Sequence, residues 1–221
     1  MTNHVVENNL LRLKQEIVPY TPQIIAVTKY YDKSAIMDAF SAGLRDFGES
    51  RANDAIKKIE SLPEEIRKES QFHFIGHLQT NKVEKVVKYF DYIQSVDSMH
   101  LAVAISESAK KLDKIQKILI QVNISEEIQK FGFKINELRN CIDELKKLEG
   151  IEIEGLMCMA PLGADEAKLN EVFSTARNLL QELNEKYYLG LTELSMGMSD
   201  DYKSAVTNGA TMIRIGRLLF N

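Results

Sequence analysis

The feature that most constrains the fold is a regular alternation of short apolar runs with amphipathic stretches along the 221-residue chain. Short runs rich in β-branched residues are typical of parallel strands covered on both faces. The runs that predict strands span residues 24–29, 44–48, 72–76, 92–96, 117–124, 151–159, 191–196 and 212–215. Eight strands in strict alternation with helices predict a single domain over residues 1–221 with a (β/α)8 TIM-type barrel, the alternative being an open doubly wound sheet.

The helices between these runs are predicted from apolar residues at three- and four-residue spacing. The clearest covers residues 166–186. The opening helix has five apolar residues assigned to one face: Val5, Val6, Leu10, Leu11 and Ile17. Three glycines are predicted to end helices: Gly43, Gly150 and Gly209. Ser98 is the predicted N-cap of the helix after the fourth strand.

Lys29 ends the first predicted strand and is followed by Tyr30 and Tyr31. Functional groups in barrel enzymes lie at the carboxyl ends of the strands, so this amine is expected at the mouth of the barrel. Taken alone, a lysine in this position is better explained as the first solvated residue of a loop.

The ends of the seventh and eighth predicted strands carry glycines beside a serine and arginines, in residues 195–199 and 214–217. Barrels commonly hold phosphate in these two loops, where backbone N–H groups and a short helix favour negative charge. Asp200 and Asp201 open the following helix and also suit a simple cap. The bland alternative is that Gly197 and Gly216 only make tight turns.

A lysine that faces a phosphate site across a barrel mouth indicates a ligand with both a carbonyl and a phosphate. Pyridoxal 5′-phosphate carries both groups, and lysine forms imines with its aldehyde. A barrel enzyme that forms a lysine imine with a sugar phosphate is an alternative at this point.

Composition excludes several other classes of function. The net charge of -4, from 28 basic and 32 acidic residues spread along the helices, argues against a nucleic-acid partner. No run approaches the roughly 18 apolar residues of a membrane span, and residues 1–9 lack a signal peptide, so a cytoplasmic protein is expected. Cys141 and Cys158 have no metal-ligand spacing and are predicted to be buried reduced thiols, with no metal site.

Eight motifs in order along nearly the whole chain closely resemble those of the pyridoxal phosphate homeostasis proteins. The motifs are IIAVTK, FGES, FHFIGHLQTNK, SVDS, QVNIS, GLMCMAP, LSMGMSDD and RIGRLLF. The resemblance implies the barrel of the alanine racemase N-terminal domain, which binds pyridoxal 5′-phosphate (PLP) as an imine.

The resemblance also implies roles for single residues. Lys29 would form the imine, and Arg214 would face the pyridine nitrogen. Ser199 and the backbone of Gly216 and Arg217 would hold the phosphate. The remaining implied site residues shape the phosphate loop or lie near the ring: Ser195, Met196 and Gly197 in the loop, and Ser50, His77 and Asn81 by the ring. A histidine at a helix start, such as His77, is equally suited to bonding the backbone.

Four positions depart from the family pattern. Ser50 replaces an asparagine that would contact the ring, and Phe72 replaces a tryptophan. Phe131 stands where the family has a small residue, beside Lys130, and Arg217 where a threonine is common. None of these departures touches Lys29 or Arg214.

Binding PLP is not in itself a reaction, and Arg214 bears on which reactions are expected. A carboxylate opposite the pyridine nitrogen keeps it protonated, whereas a guanidinium keeps it neutral and weakens the ring as an electron sink. Racemases tolerate an arginine but need a second acid or base from another domain, for which no room is expected after Asn221. The sequence therefore predicts a non-enzymatic, monomeric PLP carrier serving PLP-dependent apoenzymes. A racemase of low activity, with Tyr30 or water as second base, is the alternative.

Overall fold

The computed structural model describes residues 3–125 and 131–221 and shows a closed barrel of eight parallel strands. The strands are β1 Gln23–Val27, β2 Asp46–Glu49, β3 Gln71–Phe74, β4 Tyr92–Val96, β5 Gln116–Gln121, β6 Ile151–Met157, β7 Glu193–Ser195 and β8 Met212–Ile215. Each strand pairs with the next along the chain, and β8 closes on β1 with Arg214 opposite Ile25. The predicted barrel is confirmed, and the open doubly wound sheet is wrong.

Helices cover the outside of the barrel. They are α1 Asn3–Glu16, α2 Lys33–Ser41, α3 Ala52–Glu60, α4 Glu64–Glu69, α5 Val83–Tyr89, α6 Met99–Lys111, α7 Ile135–Leu145, α8 Glu166–Tyr187, α9 Tyr202–Thr207 and α10 Arg217–Phe220, with a 3-10 turn at Thr80–Lys82. The helix α4 was not predicted, because its only buried residue is Ile66 and six residues carry no apolar period. Within the described chain, no helix is long and apolar enough to cross a bilayer.

Several strands are shorter than the apolar runs that predicted them. Strand β5 ends at Gln121 rather than at residue 124, and β6 ends at Met157 rather than at residue 159. The apolar residues beyond these ends, such as Val122 and Cys158, are buried in loops. The predicted strands were too long because an apolar run indicates burial and does not indicate where strand pairing stops.

The opening helix α1 uses a different face from the one predicted. Val6, Leu10, Leu13 and Ile17 are buried, whereas Val5 and Leu11 are exposed by 48% and 57%. The buried residues follow a regular 4-3-4 spacing, which defines the stripe that packs on the barrel. The assignment of Val5 and Leu11 to the inner face was wrong.

Successive residues of the strands alternate between two cores. A large core lies between strands and helices, and a small apolar cluster lies inside the barrel: Ile25, Tyr92, Leu119, Met157 and Met212. In β8, Ile213 and Ile215 belong to the outer core while Met212 points inward. Arg214 shares the parity of Met212, so the period of two directs its side chain into the barrel.

Local signals at helix ends agree with the sequence at most positions. The Ser98 hydroxyl accepts from the Leu101 N–H at 3.3 Å and caps α6 as predicted. Gly43 follows α2 with φ +93°, where an L side chain would be strained.

The two cysteines differ in burial. Cys158 is buried as predicted, but Cys141 is only half-buried, and burial raises the pKa of its thiol. Among the described residues, no group of three or more metal-binding side chains is present.

Candidate functional site

Lys29 lies just beyond the carboxyl end of β1, at the mouth of the barrel. Its side chain is half-buried, and its Nζ lies 5.2 Å from the ring centroid of the exposed Tyr30. Lys29 shares the parity of Ile25, which packs inside the barrel. Within the described residues Lys29 has no carboxylate partner. The amine is thus directed to the mouth of the barrel rather than held in an ion pair.

A buried ion pair supports the backbone immediately before Lys29. Lys58 of α3 donates to Glu49 Oε1 at 2.6 Å and to the Thr28 carbonyl at 2.8 Å. The Thr28 hydroxyl donates to the same Glu49 oxygen at 2.7 Å. Because Glu49 is only 2% exposed, these bonds form in a weakly screened setting. They tie the end of β1 to β2 and α3, and so hold the segment that carries Lys29.

The loops after β7 and β8 are joined to each other. The Arg214 N–H donates to the Gly197 carbonyl at 3.0 Å, and Arg217 Nη2 donates to Asp200 Oδ2 at 2.5 Å. In the part of the chain that the structure describes, the backbone N–H groups of Ser199, Gly216 and Arg217 donate to no acceptor. Several amides without acceptors on adjoining loops suit an anion with several oxygens, such as phosphate.

Two glycines allow these loops to approach their neighbours. Gly197 has φ +90°, and a Cβ placed there would lie 2.5 Å from Cβ of Ala205. A Cβ on Gly216 would lie 3.3 Å from the Val27 carbonyl oxygen. Gly216 therefore lies against the end of β1, two residues before Lys29. The predicted phosphate loop and the predicted lysine occupy adjoining strand ends.

Arg214 lies inside the barrel and is 4% exposed. Its Nη1 donates to Ser195 Oγ at 2.7 Å, and its Nη2 donates to the Cys158 carbonyl at 3.0 Å. Burial lowers the pKa of the guanidinium, and no carboxylate contacts it within residues 3–125 and 131–221. The Ser195 side chain therefore contacts Arg214 inside the barrel rather than facing the loop. Met196 belongs to the outer core and leaves only its backbone to the loop.

The other predicted residues follow β2 and β3, the two strands next to β1 in the barrel. Ser50 follows β2, and its carbonyl oxygen would lie 2.4 Å from a Cβ on Gly76. His77 Nδ1 lies 3.1 Å from Asp97 Oδ2, and its ring stacks on Phe131 at a centroid distance of 3.9 Å. The unusual Phe131 thus covers His77, while the neighbouring Lys130 lies outside the described residues.

Asn81 is exposed in the 3-10 turn. The contacts of His77 are with residues after β4 and β5, so they do not bring it to Lys29.

Some polar residues near Arg214 were not predicted. Gln94 and His73 are fully buried inside the barrel and belong to the same hydrogen-bond chain as Ser195. The signal was present in the sequence, because each is a large polar residue within a short run that was predicted to be a buried strand. Glu49 and Lys58 were also missed. Their pairing joins a strand end to a helix and has no local pattern.

The chain matches one family model over nearly its whole length and is similar to curated proteins that share one name. Residues 4–221 match the family model described as alanine racemase, N-terminal domain. A pyridoxal phosphate homeostasis protein of Synechocystis is 41% identical over 92% of this chain and 92% of its own length. A protein of the same name from Pseudomonas aeruginosa is 36% identical over 91% of this chain and 85% of its own length.

Solved structures agree with this grouping. PipY of Synechococcus elongatus, solved with PLP bound, is 39% identical with a TM-score of 0.89, covering 98% of this chain and 100% of PipY. Alanine racemase of Clostridium difficile has a TM-score of 0.77 at 16% identity, covering 98% of this chain and 56% of the racemase. The racemase likeness shows the shared barrel and nothing more.

Proposed function

Because the chain belongs to the family of pyridoxal phosphate homeostasis proteins, we propose that it binds PLP at the mouth of its barrel and buffers or delivers this cofactor. The observation that carries the proposal is the placement of Lys29 and of several backbone N–H groups on adjoining strand ends. Among residues 3–125 and 131–221, Lys29 has no carboxylate partner and these N–H groups have no acceptor. The relative solved with PLP bound shares the fold over nearly the whole chain, which supports the proposal.

Each residue has a definite task in this proposal. The cofactor supplies an aldehyde that condenses with a primary amine, and Lys29 is that amine. The N–H groups of Ser199, Gly216 and Arg217 hold the phosphate, and Arg214 faces the ring nitrogen. Gly197 and the backbone of Met196 shape the loop. Ser50, His77 and Asn81 belong to the rim beyond β2 and β3.

A carrier role is favoured over turnover by the surroundings of Arg214. A carboxylate beside the ring nitrogen would keep it protonated and would make the ring a strong electron sink, whereas a guanidinium does not. Ser195 and the Cys158 carbonyl, which hold Arg214, are neutral and provide no carboxylate. We therefore propose a non-enzymatic, monomeric, cytoplasmic protein that acts through one barrel domain over residues 1–221 and supplies PLP-dependent apoenzymes.

The first test traps the cofactor on the protein. Borohydride reduction of the PLP-loaded protein, followed by digestion and mass spectrometry, is expected to find the pyridoxyl group on Lys29. Lys29→Ala should lose the adduct and the visible band but stay folded, since a change at a half-buried strand end costs about 0.5 kcal/mol. Lys33→Ala, at the exposed start of α2, is the matched control and should keep the adduct.

Two results would contradict this proposal. An adduct on Lys82 or Lys130 in place of Lys29 would remove the proposed site. Tyr30 lies beside the amine, so a weak racemase with Tyr30 as second base is the competing function. Stereospecific exchange of an amino-acid α-proton with solvent at more than about 1 s⁻¹, lost in Lys29→Ala, would establish that function instead.

A further inference from the structure

A continuous chain of buried side chains crosses the inside of the barrel and ends on Arg214. Ser195 Oγ lies 2.7 Å from both Arg214 Nη1 and Gln94 Oε1. Gln94 Nε2 lies 3.1 Å from His73 Nδ1, and His73 Nε2 lies 3.1 Å from Asp46 Oδ1. Strands β8, β7, β4, β3 and β2 each supply one member. Ser195, Gln94 and His73 are fully buried, so water does not compete for these bonds.

The direction of every hydrogen bond in this chain follows from Arg214, which can only donate. Ser195 Oγ accepts from Arg214, so its own proton is free to donate to Gln94 Oε1. The Gln94 amide then presents its N–H groups to His73 Nδ1 and, at 3.7 Å, to Met212 Sδ. His73 is thereby assigned as the neutral tautomer with its proton on Nε2, which donates to Asp46.

Other contacts keep the chain in one arrangement. The His73 ring stacks on Tyr92 with a centroid distance of 4.7 Å and an interplanar angle of 9°. The second guanidinium nitrogen of Arg214 is held by the Cys158 carbonyl at 3.0 Å. Each polar group of Ser195 and Gln94 has a partner, and a buried network satisfied in this way fixes the side chains that form it.

We propose that Ser195, Gln94, His73 and Asp46 are positioning residues for Arg214, and that through Arg214 they set the electrostatics at the ring of the bound cofactor. The second half of this inference rests on the proposed function. Arg214 donates to two neutral acceptors, Ser195 Oγ and the Cys158 carbonyl, and in the described part of the chain it donates to no carboxylate. In this proposal Ser195 contributes only its backbone to the phosphate loop, and its hydroxyl accepts the hydrogen bond from Arg214.

The test compares Ser195→Ala and Gln94→Met with a serine control. Gln94→Met keeps the volume of the side chain and removes both of its hydrogen-bonding ends. Ser106→Ala is the matched control, because Ser106 is buried in α6 and its hydroxyl accepts from Gly150 N at 3.0 Å, outside the barrel. All three variants lose a buried hydrogen bond, but only the first two touch the chain.

The first readout needs no cofactor. In ¹⁵N NMR spectra of the cofactor-free protein, His73 is expected as the Nε2–H tautomer and the Arg214 Nη–H groups should exchange slowly. Ser195→Ala and Gln94→Met should accelerate Arg214 exchange at least about tenfold, because a hydrogen bond to a charged group is worth that factor. Ser106→Ala should leave it unchanged. Unchanged Arg214 exchange in all variants would overturn the positioning chain.

The second readout uses the PLP-loaded protein. Ser195→Ala and Gln94→Met should shift the visible band and the midpoint of its pH titration in the direction given by Arg214→Lys, with the adduct still on Lys29. A band and midpoint identical to those of Ser106→Ala would refute the link to the cofactor. Failure of the native protein to form the Lys29 adduct would instead refute the proposed function. The NMR readout would still test whether Ser195, Gln94, His73 and Asp46 position Arg214.

Discussion

Gly197 controls the shape of the loop after β7. Its φ of +90° is one that L side chains rarely adopt, and its missing Cβ leaves room for Ala205 of α9. The same backbone accepts the hydrogen bond from Arg214 N–H. A side chain at this position would therefore disturb both the loop and the end of β8.

Gly197→Ala is expected to destabilise the protein by about 2–6 kcal/mol, as positive φ and overpacking each cost about 1–3 kcal/mol. Denaturant unfolding measures the loss. Gly163→Ala is the control, since Gly163 has φ +72° but nothing within 4 Å of its missing Cβ. It should lose only the cost of positive φ. Equal losses in the two variants would contradict the role assigned to the contact with Ala205.

The amides of Ser199, Gly216 and Arg217 should make phosphate a large part of the affinity. Charge-assisted hydrogen bonds contribute about 1.5–3 kcal/mol each, so pyridoxal without its phosphate should bind at least about a hundredfold more weakly than PLP. Titration of both compounds, followed by absorbance, checks this. Equal affinities would mean that the two loops do not hold the phosphate.

Strands β1 and β2 and helix α3 meet at the Glu49–Lys58 ion pair. Glu49 is 2% exposed and Lys58 12% exposed, so neither charge is well solvated when its partner is removed. Lys58 also holds the Thr28 carbonyl, which links the pair to the backbone before Lys29. The three elements are thus coupled through one small polar cluster.

Removing either partner should cost about 3–5 kcal/mol, because it leaves a buried charge unpaired. We expect this loss for Glu49→Gln and for Lys58→Met in denaturant unfolding. The double variant should lose less than the sum of the two single losses. Additive losses would show that the two side chains do not depend on each other, and the coupling of β1 to α3 would then need another explanation.

The first helix is joined to the last part of the barrel through Glu16. Its carboxylate accepts from Lys203 Nζ at 2.8 Å, Tyr202 OH at 2.5 Å and Arg12 Nε at 2.8 Å. These bonds lower the pKa of Glu16 from 4.5 to about 2. Because α1 and α9 stand at opposite ends of the sequence, the cluster joins the first and last parts of the fold.

A lowered pKa in the folded protein means that Glu16 stabilises the fold above pH 4.5 and that this contribution is lost as the pH falls towards 2. Glu16→Gln should therefore lower the free energy of unfolding at pH 7 by about 1 kcal/mol. The difference between variant and native protein should shrink as the pH falls from 4.5 to 2. Unfolding curves across this range test the expectation, with the exposed Glu185→Gln as control. A constant difference at all pH values would contradict it.

Much of the fold and part of the candidate site were predicted from the sequence. The eight strands, the amine at the end of β1 and the glycines after β7 and β8 all depend on local patterns. Apolar runs indicate which segments are buried strands, and the carboxyl ends of all strands in a barrel lie at the same face. Lys29 could therefore be predicted to lie near the proposed phosphate loops from the sequence alone. The helix α4 was missed because its six residues are too few to show an apolar period. In α1, Val5 and Leu11 each stand beside another apolar residue, and the sequence did not show which member of the pair faces the barrel.

The interior of the barrel was decided only by tertiary structure. Ser195 was expected in the phosphate loop, yet its hydroxyl joins Arg214 to Gln94, 101 residues earlier in the chain. His73 was not singled out at all. A local pattern states which face of a strand is apolar, but it does not state which side chains of other strands lie opposite. That depends on the register with which eight strands close, and only the closed barrel sets the distances across its interior.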